Sequence, residues 1–361
     1  MRDFVKIHTS PFFLVNFLFF LLIFCLIIIR VVPIQAYPAL DITVKTDKQK
    51  YYAKDALQVY GNLTLDGVLV PDGLVGIQIQ TSRDTLLVIR TLSTGNPPPE
   101  TPYVFLEYVA PCDQNGDPQF SFRKGTLANF KVSIVNFDIE PRDALMTINT
   151  YYSDNSPFGY ASINTTIFPS SSATFVISIP IPADAVLGTA NAYANAYTNL
   201  PKLAGTPYCS EVNATFQITD TSSLIAIQTA QSPPPTIQQT DETGNFNLTL
   251  PFPRKIPYGD CTVYVTARYL GESIFNSTTF GVYQLGDLGS GPPPTFFDFD
   301  GAVDAFDFTL WKACYDGVAP PEAMYLGDLG TGPPPTFFAF DGIIDSFDFA
   351  LWKACYDGLG P

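Results

Sequence analysis

A self-repeat at the C-terminal end constrains this 361-residue chain more than any other feature of its sequence. The stretch GDLGSGPPPTFFDFDGAVDAFDFTLWKACYDG begins at Gly286, and a near copy, GDLGTGPPPTFFAFDGIIDSFDFALWKACYDG, begins at Gly327. Two copies of one short unit indicate a paired module.

The acidic residues of each copy have the spacing of an EF-hand-type loop. Such a loop collects oxygens from alternate positions, turns sharply at a glycine and closes with a carboxylate from the first turn of a helix. The predicted calcium ligands are Asp287, Asp298, Asp300, the Ala302 carbonyl, Asp304 and Asp307 in the first copy, and Asp328, Asp341, the Ile343 carbonyl, Asp345 and Asp348 in the second.

The front half of each loop departs from that spacing. Asp287 and Asp328 lie thirteen residues before Asp300 and Asp341, so a Gly/Pro-rich insertion, GPPPTFF, must loop out. Ala339 stands where the first copy has Asp298. We therefore expect one or two bound Ca²⁺ ions, with the second site the weaker.

Apolar residues recur at helical spacing after each loop and predict a helix there. A second, aromatic stripe runs beside the first, and it consists of Phe308, Trp311 and Tyr315, repeated as Phe349, Trp352 and Tyr356. Two apolar faces on so short a helix indicate one face for helix packing and one for a partner. The alternative is that both faces form the core of the pair.

The segments FDFDGAVDAFDFTLWKACYDG and FAFDGIIDSFDFALWKACYDG resemble a type I dockerin, over residues 286–361. The resemblance implies a small α-helical, duplicated loop-helix module that docks onto a cohesin domain. Residues 286–361 contain twelve Asp and Glu against two Lys, a net charge of −10. Such a segment needs a cation to fold compactly.

The N-terminal end indicates export. Arg2 and Lys6 precede an apolar run from Phe12 to Ile29, and Ala36 offers a small-residue cleavage site. Residues 1–36 are therefore predicted to be a signal peptide, or an uncleaved signal anchor in the membrane, because the run approaches the thickness of a bilayer core. The rest of the chain is expected to be secreted or at the cell surface.

Composition agrees with an exported acidic protein. The net charge of −15 makes nucleic acid an unsuitable partner. Sequons for N-linked glycans occur at Asn62, Asn164, Asn213, Asn247 and Asn276. The sole histidine, His8, lies in the signal segment, so the exported part lacks histidine-based catalysis and we predict no enzyme.

Five cysteines follow the signal segment, so at least one stays unpaired within the chain. Cys112 and Cys209 flank one predicted domain and are the candidates for a disulfide. Cys314 and Cys355 occupy equivalent helix positions and either pair or serve as small core residues.

The middle of the chain shows period-two alternation with turn residues every eight to twelve positions, which predicts β-sandwiches. Residues 41–80 predict a meander of five strands, with turns at Asp66-Gly67 and Asp72-Gly73. The order of TDK, tyrosine, turn and VYGNLTLDG in residues 41–95 resembles a macroglobulin-type (MG) domain, which implies a seven-stranded sandwich. Residues 101–219 suggest a CARDB-like or fibronectin type III-like sandwich of Ig-like fold.

Residues 244–269 echo the end of that second domain and lack a front half of their own. We therefore expect residues 38–96 and 236–283 to form one discontinuous sandwich. Residues 101–219 would be inserted in it, residues 220–235 would be a Pro-rich linker, and residues 284–361 the dockerin-like module. A plain row of three sandwiches is the alternative.

The sequence thus predicts an exported, mainly β, non-enzymatic protein that binds calcium and docks onto a cohesin-like partner, with sandwiches as a stalk or adhesion modules. The first alternative is a polysaccharide-binding or carbohydrate-active component of an extracellular assembly, which exposed aromatic stripes would favour. The second is a macroglobulin-like endopeptidase inhibitor.

Overall fold

The computed structural model describes residue 19 and residues 39–52, 55–95, 102–220, 244–253, 258–292, 302–321, 323–332 and 342–357. The predicted signal segment 1–36, apart from Phe19, and linker residues 221–235 lie outside them, as do Asp298, Asp300 and Asp341. Within the described residues, no helix has the length and apolar character needed to span a membrane.

The chain is mainly β, as the alternation predicts, with two short helices near its C-terminal end. The strands before the first gap are β1 (Leu40–Ile42), β2 (Lys45–Thr46), β3 (Lys50–Tyr52), β4 (Ala56–Leu65), β5 (Val68–Leu69), β6 (Leu74–Thr81) and β7 (Leu86–Ser93). Next come β8 (Val104–Cys112), β9 (Ser121–Arg123), β10 (Leu127–Asn136), β11 (Arg142–Tyr152), β12 (Pro157–Ile167), β13 (Ser171–Pro180), β14 (Gly188–Tyr197) and β15 (Val212–Thr219). The last are β16 (Asn245–Pro251), β17 (Gly259–Tyr269), β18 (Glu272–Tyr283) and the helices α1 (Ala305–Tyr315) and α2 (Ser346–Tyr356). Short 3₁₀ turns span Pro201–Leu203 and Met324–Gly327.

The first sandwich combines strands from both sides of the second. One sheet has the order β1-β4-β16, with β2 and β5 also paired to β4, and the other has the order β3-β18-β17-β6-β7. Its core contains buried residues of both segments, for example Leu57 and Ile77 with Leu248 and Val263. Such pairing is what a discontinuous domain requires.

Residues 41–80 do not form the expected five-stranded meander, because β4 and β6 lie in different sheets. The hairpin from β4 to β5 does join strands that are neighbours in the sequence. Asp66 and Gly67 turn it with φ angles of 52° and 78°, the positive values that a two-residue hairpin turn requires.

The second sandwich packs a three-stranded sheet, β13-β10-β8, on a five-stranded sheet, β12-β11-β14-β15-β9. The alternation of residues in β14 shows which face of the five-stranded sheet packs inside the sandwich. The alanines of β14 face the core, and the intervening Asn and Tyr residues face the other way. These outward residues are buried as well, because the first sandwich covers them.

The edge of β7 contacts that outward face. The backbone N–H of Ile89 donates to Asn149 Oδ1 (3.0 Å), and the Tyr197 hydroxyl donates to the Arg90 carbonyl (2.6 Å). An edge strand exposes unpaired backbone groups that a protein must cover. Side chains of the second sandwich therefore satisfy the β7 edge and join the two sandwiches.

A buried ion pair completes this contact. The Arg90 guanidinium donates to both carboxylate oxygens of Glu211, at 2.8 and 2.5 Å, and lies 3.7 Å from the centre of the Tyr193 ring. Burial by itself lowers the pKa of Arg90, but the Glu211 carboxylate more than offsets this and holds it above its ordinary value. Arg90 thus stays charged at the interface.

The predicted disulfide between Cys112 and Cys209 is wrong, since both are free, buried thiols. Cys209 Sγ lies 3.4 Å from the backbone nitrogen of Leu106, which precedes Cys112 by six residues on β8. Six residues of strand span about 20 Å, whereas a disulfide needs Cα atoms within about 7 Å. Cys314 and Cys355 are also free and buried, which agrees with small core residues rather than a bridge.

Candidate metal centre and docking face

Each helix of the C-terminal module begins at a predicted ligand. Asp304 is the N-cap of α1, and its Oδ1 accepts from the N–H of Phe306 (2.7 Å), while Asp307 Oδ2 accepts from the N–H of Asp304 (2.7 Å). Asp345 and Asp348 form the same capping box on α2. The two carboxylates that fix each helix start are therefore neighbours in each copy.

Asp307 and Asp348 also hold the start of each loop. Asp307 Oδ1 accepts from the N–H groups of Leu288 (2.6 Å) and Gly289 (3.1 Å). Asp348 Oδ1 accepts from Leu329 (2.6 Å) and Gly330 (3.1 Å). These bonds hold the residues that directly follow the first predicted ligand of each copy against the last predicted ligand.

The remaining predicted ligands are placed as follows. Asp287 and Asp328 are buried, and Asp328 Oδ2 accepts from the N–H of Gly342 (2.6 Å), which ties the loop start to its turn. Ala302 and Ile343, predicted to contribute carbonyls, are exposed. Among the described residues, no group of three His, Cys, Asp or Glu side chains is close enough to hold a metal ion; Asp298, Asp300 and Asp341 lie outside those residues.

The buried Asp307 carboxylate and the scarcity of basic residues in this module are compatible with binding of a hard cation. The pKa of the Asp307 carboxyl is raised above its ordinary value, because burial raises it more than the three backbone N–H groups that bind the carboxylate lower it. Lys312 and Lys353, the two basic residues of 286–361, pair with Asp316 and Asp357 on their own helices. Within the described residues, one backbone N–H, that of Asp304, donates to Asp307 Oδ2, and a carboxylate oxygen has a second lone pair that could bind calcium.

The two copies pack as a pair. A Cβ on Gly286 would lie 3.0 Å from Cys355 Cβ, and one on Gly327 would lie 2.7 Å from Cys314 Cβ. The loop entry of each copy therefore packs against the helix of the other. The Trp311 indole N–H donates to the Gly327 carbonyl (3.2 Å) across the same contact.

The predicted partner face is split between core and surface. Trp311 and Trp352 are buried, and the Phe308 ring lies 5.2 Å from Trp352 and 6.0 Å from Phe349. This part of the stripe forms the core between the helices, as in the alternative reading of the sequence. Tyr315 and Tyr356 remain about half exposed at the helix C-terminal ends, and Phe349 is 40% exposed.

Two apolar residues at the helix starts, which helical spacing predicts to be buried, are exposed. Phe306 and Phe347 are among the apolar residues at helical spacing that predict α1 and α2, yet both are more than 40% exposed. Each is the second residue of its helix, beside the N-cap. That position could have indicated exposure, because the first turn of a helix often faces solvent.

The predicted glycan sites differ in access. Asn164 and Asn213 are exposed, whereas Asn62, Asn247 and Asn276 are half-buried. Asn276 Nδ2, the atom to which a glycan would be attached, donates to the Ile42 carbonyl at 2.7 Å. Glycans fit best at Asn164 and Asn213.

No protein-family model matches the chain, and no curated protein is similar to it in sequence. The CARDB domain of a Pyrococcus furiosus protein aligns at 9% identity and a TM-score of 0.24, over 35% of this chain and 95% of that one. The C-terminal domain of Wzt aligns at 12% identity and 0.27, over 37% and 84%. An alkylpurine DNA glycosylase of Pseudomonas fluorescens aligns at 8% and 0.25, over 33% of this chain and 31% of its own. Alignments with TM-scores this low give no support for a shared function.

Proposed function

We propose that this chain is an exported, non-enzymatic extracellular or cell-surface protein that binds Ca²⁺ through its C-terminal tandem module and docks onto a cohesin-like domain. The β-sandwiches would act as a stalk or adhesion modules. The observation that carries the proposal is that the same hydrogen bonds close the loop in both copies, from Leu288 and Gly289 to Asp307 and from Leu329 and Gly330 to Asp348.

The chain's own residues prepare the site. Asp307 and Asp348 fix the loop start against the first helical turn, and Asp304 and Asp345 cap the helices. A bound calcium ion would supply positive charge to carboxylates that otherwise repel one another at close range. Metal binding and module folding are therefore expected to be coupled.

The docking face would consist of the aromatic residues that the helix pair leaves exposed, Tyr315, Phe349 and Tyr356. Aromatic residues are enriched at the centres of protein interfaces. The ion pair between Arg90 and Glu211 and the covered β7 edge support a rigid stalk, because they fix one sandwich on the other.

The experiment is binding of the full chain to a panel of purified type I cohesin domains, with calcium and with chelator. We expect calcium-dependent binding that weakens in Tyr315→Ala and Tyr356→Ala. Leu127→Ala, an exposed apolar residue of the second sandwich, is the control and should bind as wild type. Binding that persists in chelator would contradict the proposal.

Polysaccharide binding is the second candidate, and exposed aromatic residues of the second sandwich favour it. Tyr103 and Phe137 are about 60% exposed, Tyr108 is 40% exposed, and the Phe105 and Phe137 rings lie 5.4 Å apart. Affinity electrophoresis in gels containing neutral polysaccharides tests it. Retardation that is lost in Phe137→Ala but kept in Phe120→Ala, an exposed aromatic elsewhere on this sandwich, would support this candidate.

A further inference from the structure

One of the first strands of the first sandwich pairs with its last. Strand β3 lies at the edge of its sheet and runs parallel to the end of β18, with Lys50 opposite Gly281 and Tyr52 opposite Tyr283. The N–H of Gly281 also donates to the Gln49 carbonyl (2.9 Å). A strand through which the chain enters this sandwich is therefore bonded to the strand from which it leaves for the C-terminal module.

The parallel direction of this pair decides how it responds to tension along the chain. The N-terminal end of β3 and the C-terminal end of β18 lie at opposite ends of the pair, because parallel strands run the same way. Pulling the two chain ends apart would therefore slide β3 along β18 and load all their hydrogen bonds together. In an antiparallel pair the same two ends would lie side by side, and the bonds would break one after another.

Side chains hold the entering strands in place against such sliding. Tyr51 of β3 is fully buried, and its ring lies 5.2 Å from that of Phe280 on β18. The Tyr51 hydroxyl donates to Asp47 Oδ1 (2.6 Å). Asn276 Nδ2 of β18 donates to the Ile42 carbonyl of β1 (2.7 Å), which joins β18 to the other sheet. Both β1 and β3 are thus bonded to β18.

The second sandwich lies outside the path of this tension. Its strands, β8 to β15, come between β7 and β16 in the sequence, and both of those strands belong to the first sandwich. Tension between the chain ends passes directly from β3 to β18 while their pairing holds. The chain from β4 to β17, and with it the second sandwich, then carries little of the load.

We propose that β1 and β3 with β18 form a mechanical clamp, by which the first sandwich transmits tension between the N-terminal side of the chain and the C-terminal module. The inserted sandwich is protected from that tension and stays folded. This inference rests on the stalk role in the proposed function, in which the chain is held at the cell surface and docks through its C-terminal module. It adds that the stalk resists pulling in that direction more than in others.

Single-molecule force spectroscopy of the full chain in two pulling directions tests the clamp. In the first direction, handles at the two chain ends shear β3 against β18. In the second, handles at the N-terminal end and at Glu272→Cys, an exposed position at the start of β18, peel the strands apart from one end. Cys25 is replaced by Ser, and the other five cysteines are buried, so the introduced thiol can be labelled selectively. We expect a severalfold higher unfolding force in the first direction, because there the bonds must break together before the sandwich can unfold.

The lengths of the extension steps identify which sandwich unfolds. Unfolding of the second sandwich, from Val104 to Thr219, releases about 40 nm of chain, and in end-to-end pulling this step should always follow that of the first sandwich. Asn276→Ala removes the bond to Ile42, so it should lower the end-to-end unfolding force of the first sandwich and change the peeling force less. Asn164→Ala, the matched control in β12 of the second sandwich, should change neither.

Equal forces in the two directions, or a second sandwich that unfolds first under end-to-end tension, would overturn the inference. An unchanged end-to-end force in Asn276→Ala would also contradict it. These measurements depend neither on bound calcium nor on a cohesin. The clamp can therefore fail while the proposed docking stands, and docking can fail while the clamp stands.

Discussion

The ion pair between the two sandwiches allows a quantitative prediction. The side chains of Arg90 and Glu211 are 5% and 12% exposed, and two hydrogen bonds of 2.8 and 2.5 Å join them. Glu211 also accepts from the N–H of Thr91 at 3.2 Å. Arg90→Ala leaves the Glu211 carboxylate buried opposite no cation, and it removes the contact with the Tyr193 ring.

Removing one partner of a buried ion pair costs about 3–5 kcal/mol. We therefore expect Arg90→Ala to lower the free energy of unfolding by about 4 kcal/mol, a large share of the 5–15 kcal/mol that is typical of a domain. The double variant Arg90→Ala/Glu211→Ala should lose less than the sum of the single variants, because neither charge is then left alone.

Urea unfolding of the full chain, followed by circular dichroism, measures these values. Lys48→Ala is the control: its pair with Asp55 is 3.0 Å long, but its side chain is 50% exposed, so a loss of at most about 1 kcal/mol is expected. A loss below about 1 kcal/mol for Arg90→Ala would refute the view that this pair holds the sandwiches together.

Three further predictions concern thiols, helix starts and close packing. Burial raises the pKa of Cys209 to about 11 and that of Cys261 to about 12, so iodoacetamide should label neither in native protein at neutral pH and both after unfolding. Unfolded thiols lose their protons above about pH 8.5 while these stay protonated, so the free energy of unfolding should fall as pH rises from there towards 11. Asp304→Ala removes the N-cap of α1 and should cost about 1 kcal/mol in a thermal melt of the module; Ser346→Ala, outside the capping box, should cost much less. Gly327→Ala would place a Cβ 2.7 Å from Cys314 Cβ and should cost about 1–3 kcal/mol; an unchanged melting midpoint would contradict the packing of the two copies.

Local pattern predicts local structure well in this chain. Alternation identifies strands such as β10, β11, β13 and β14, and the 3.6-residue period after each acidic loop predicts α1 and α2. The capping boxes follow from the Asp pairs three residues apart. The Asp66-Gly67 turn likewise lies where the sequence puts it.

Contacts between residues far apart in the sequence are harder to predict, because period-two alternation does not specify which strands pair. The meander fails since β4 pairs with β16, far away in sequence. The disulfide fails because Cys209 contacts β8 at Leu106, about 20 Å along the strand from Cys112. In β14, Asn195 and Tyr197 look like a solvent face, yet they cover the edge of β7. Helical spacing shows the stripe of Trp311 and Trp352 but not what covers it.

Calcium titration of the full chain, by calorimetry with circular dichroism, is the decisive measurement. We expect one or two ions to bind with a gain of helix signal, with Asp307→Ala abolishing the tighter site and Asp348→Ala the weaker. Lys48→Ala, outside the module, should bind as wild type. No heat of binding and no gain of helix at millimolar calcium would contradict the proposal that the tandem repeat is a calcium-dependent docking module.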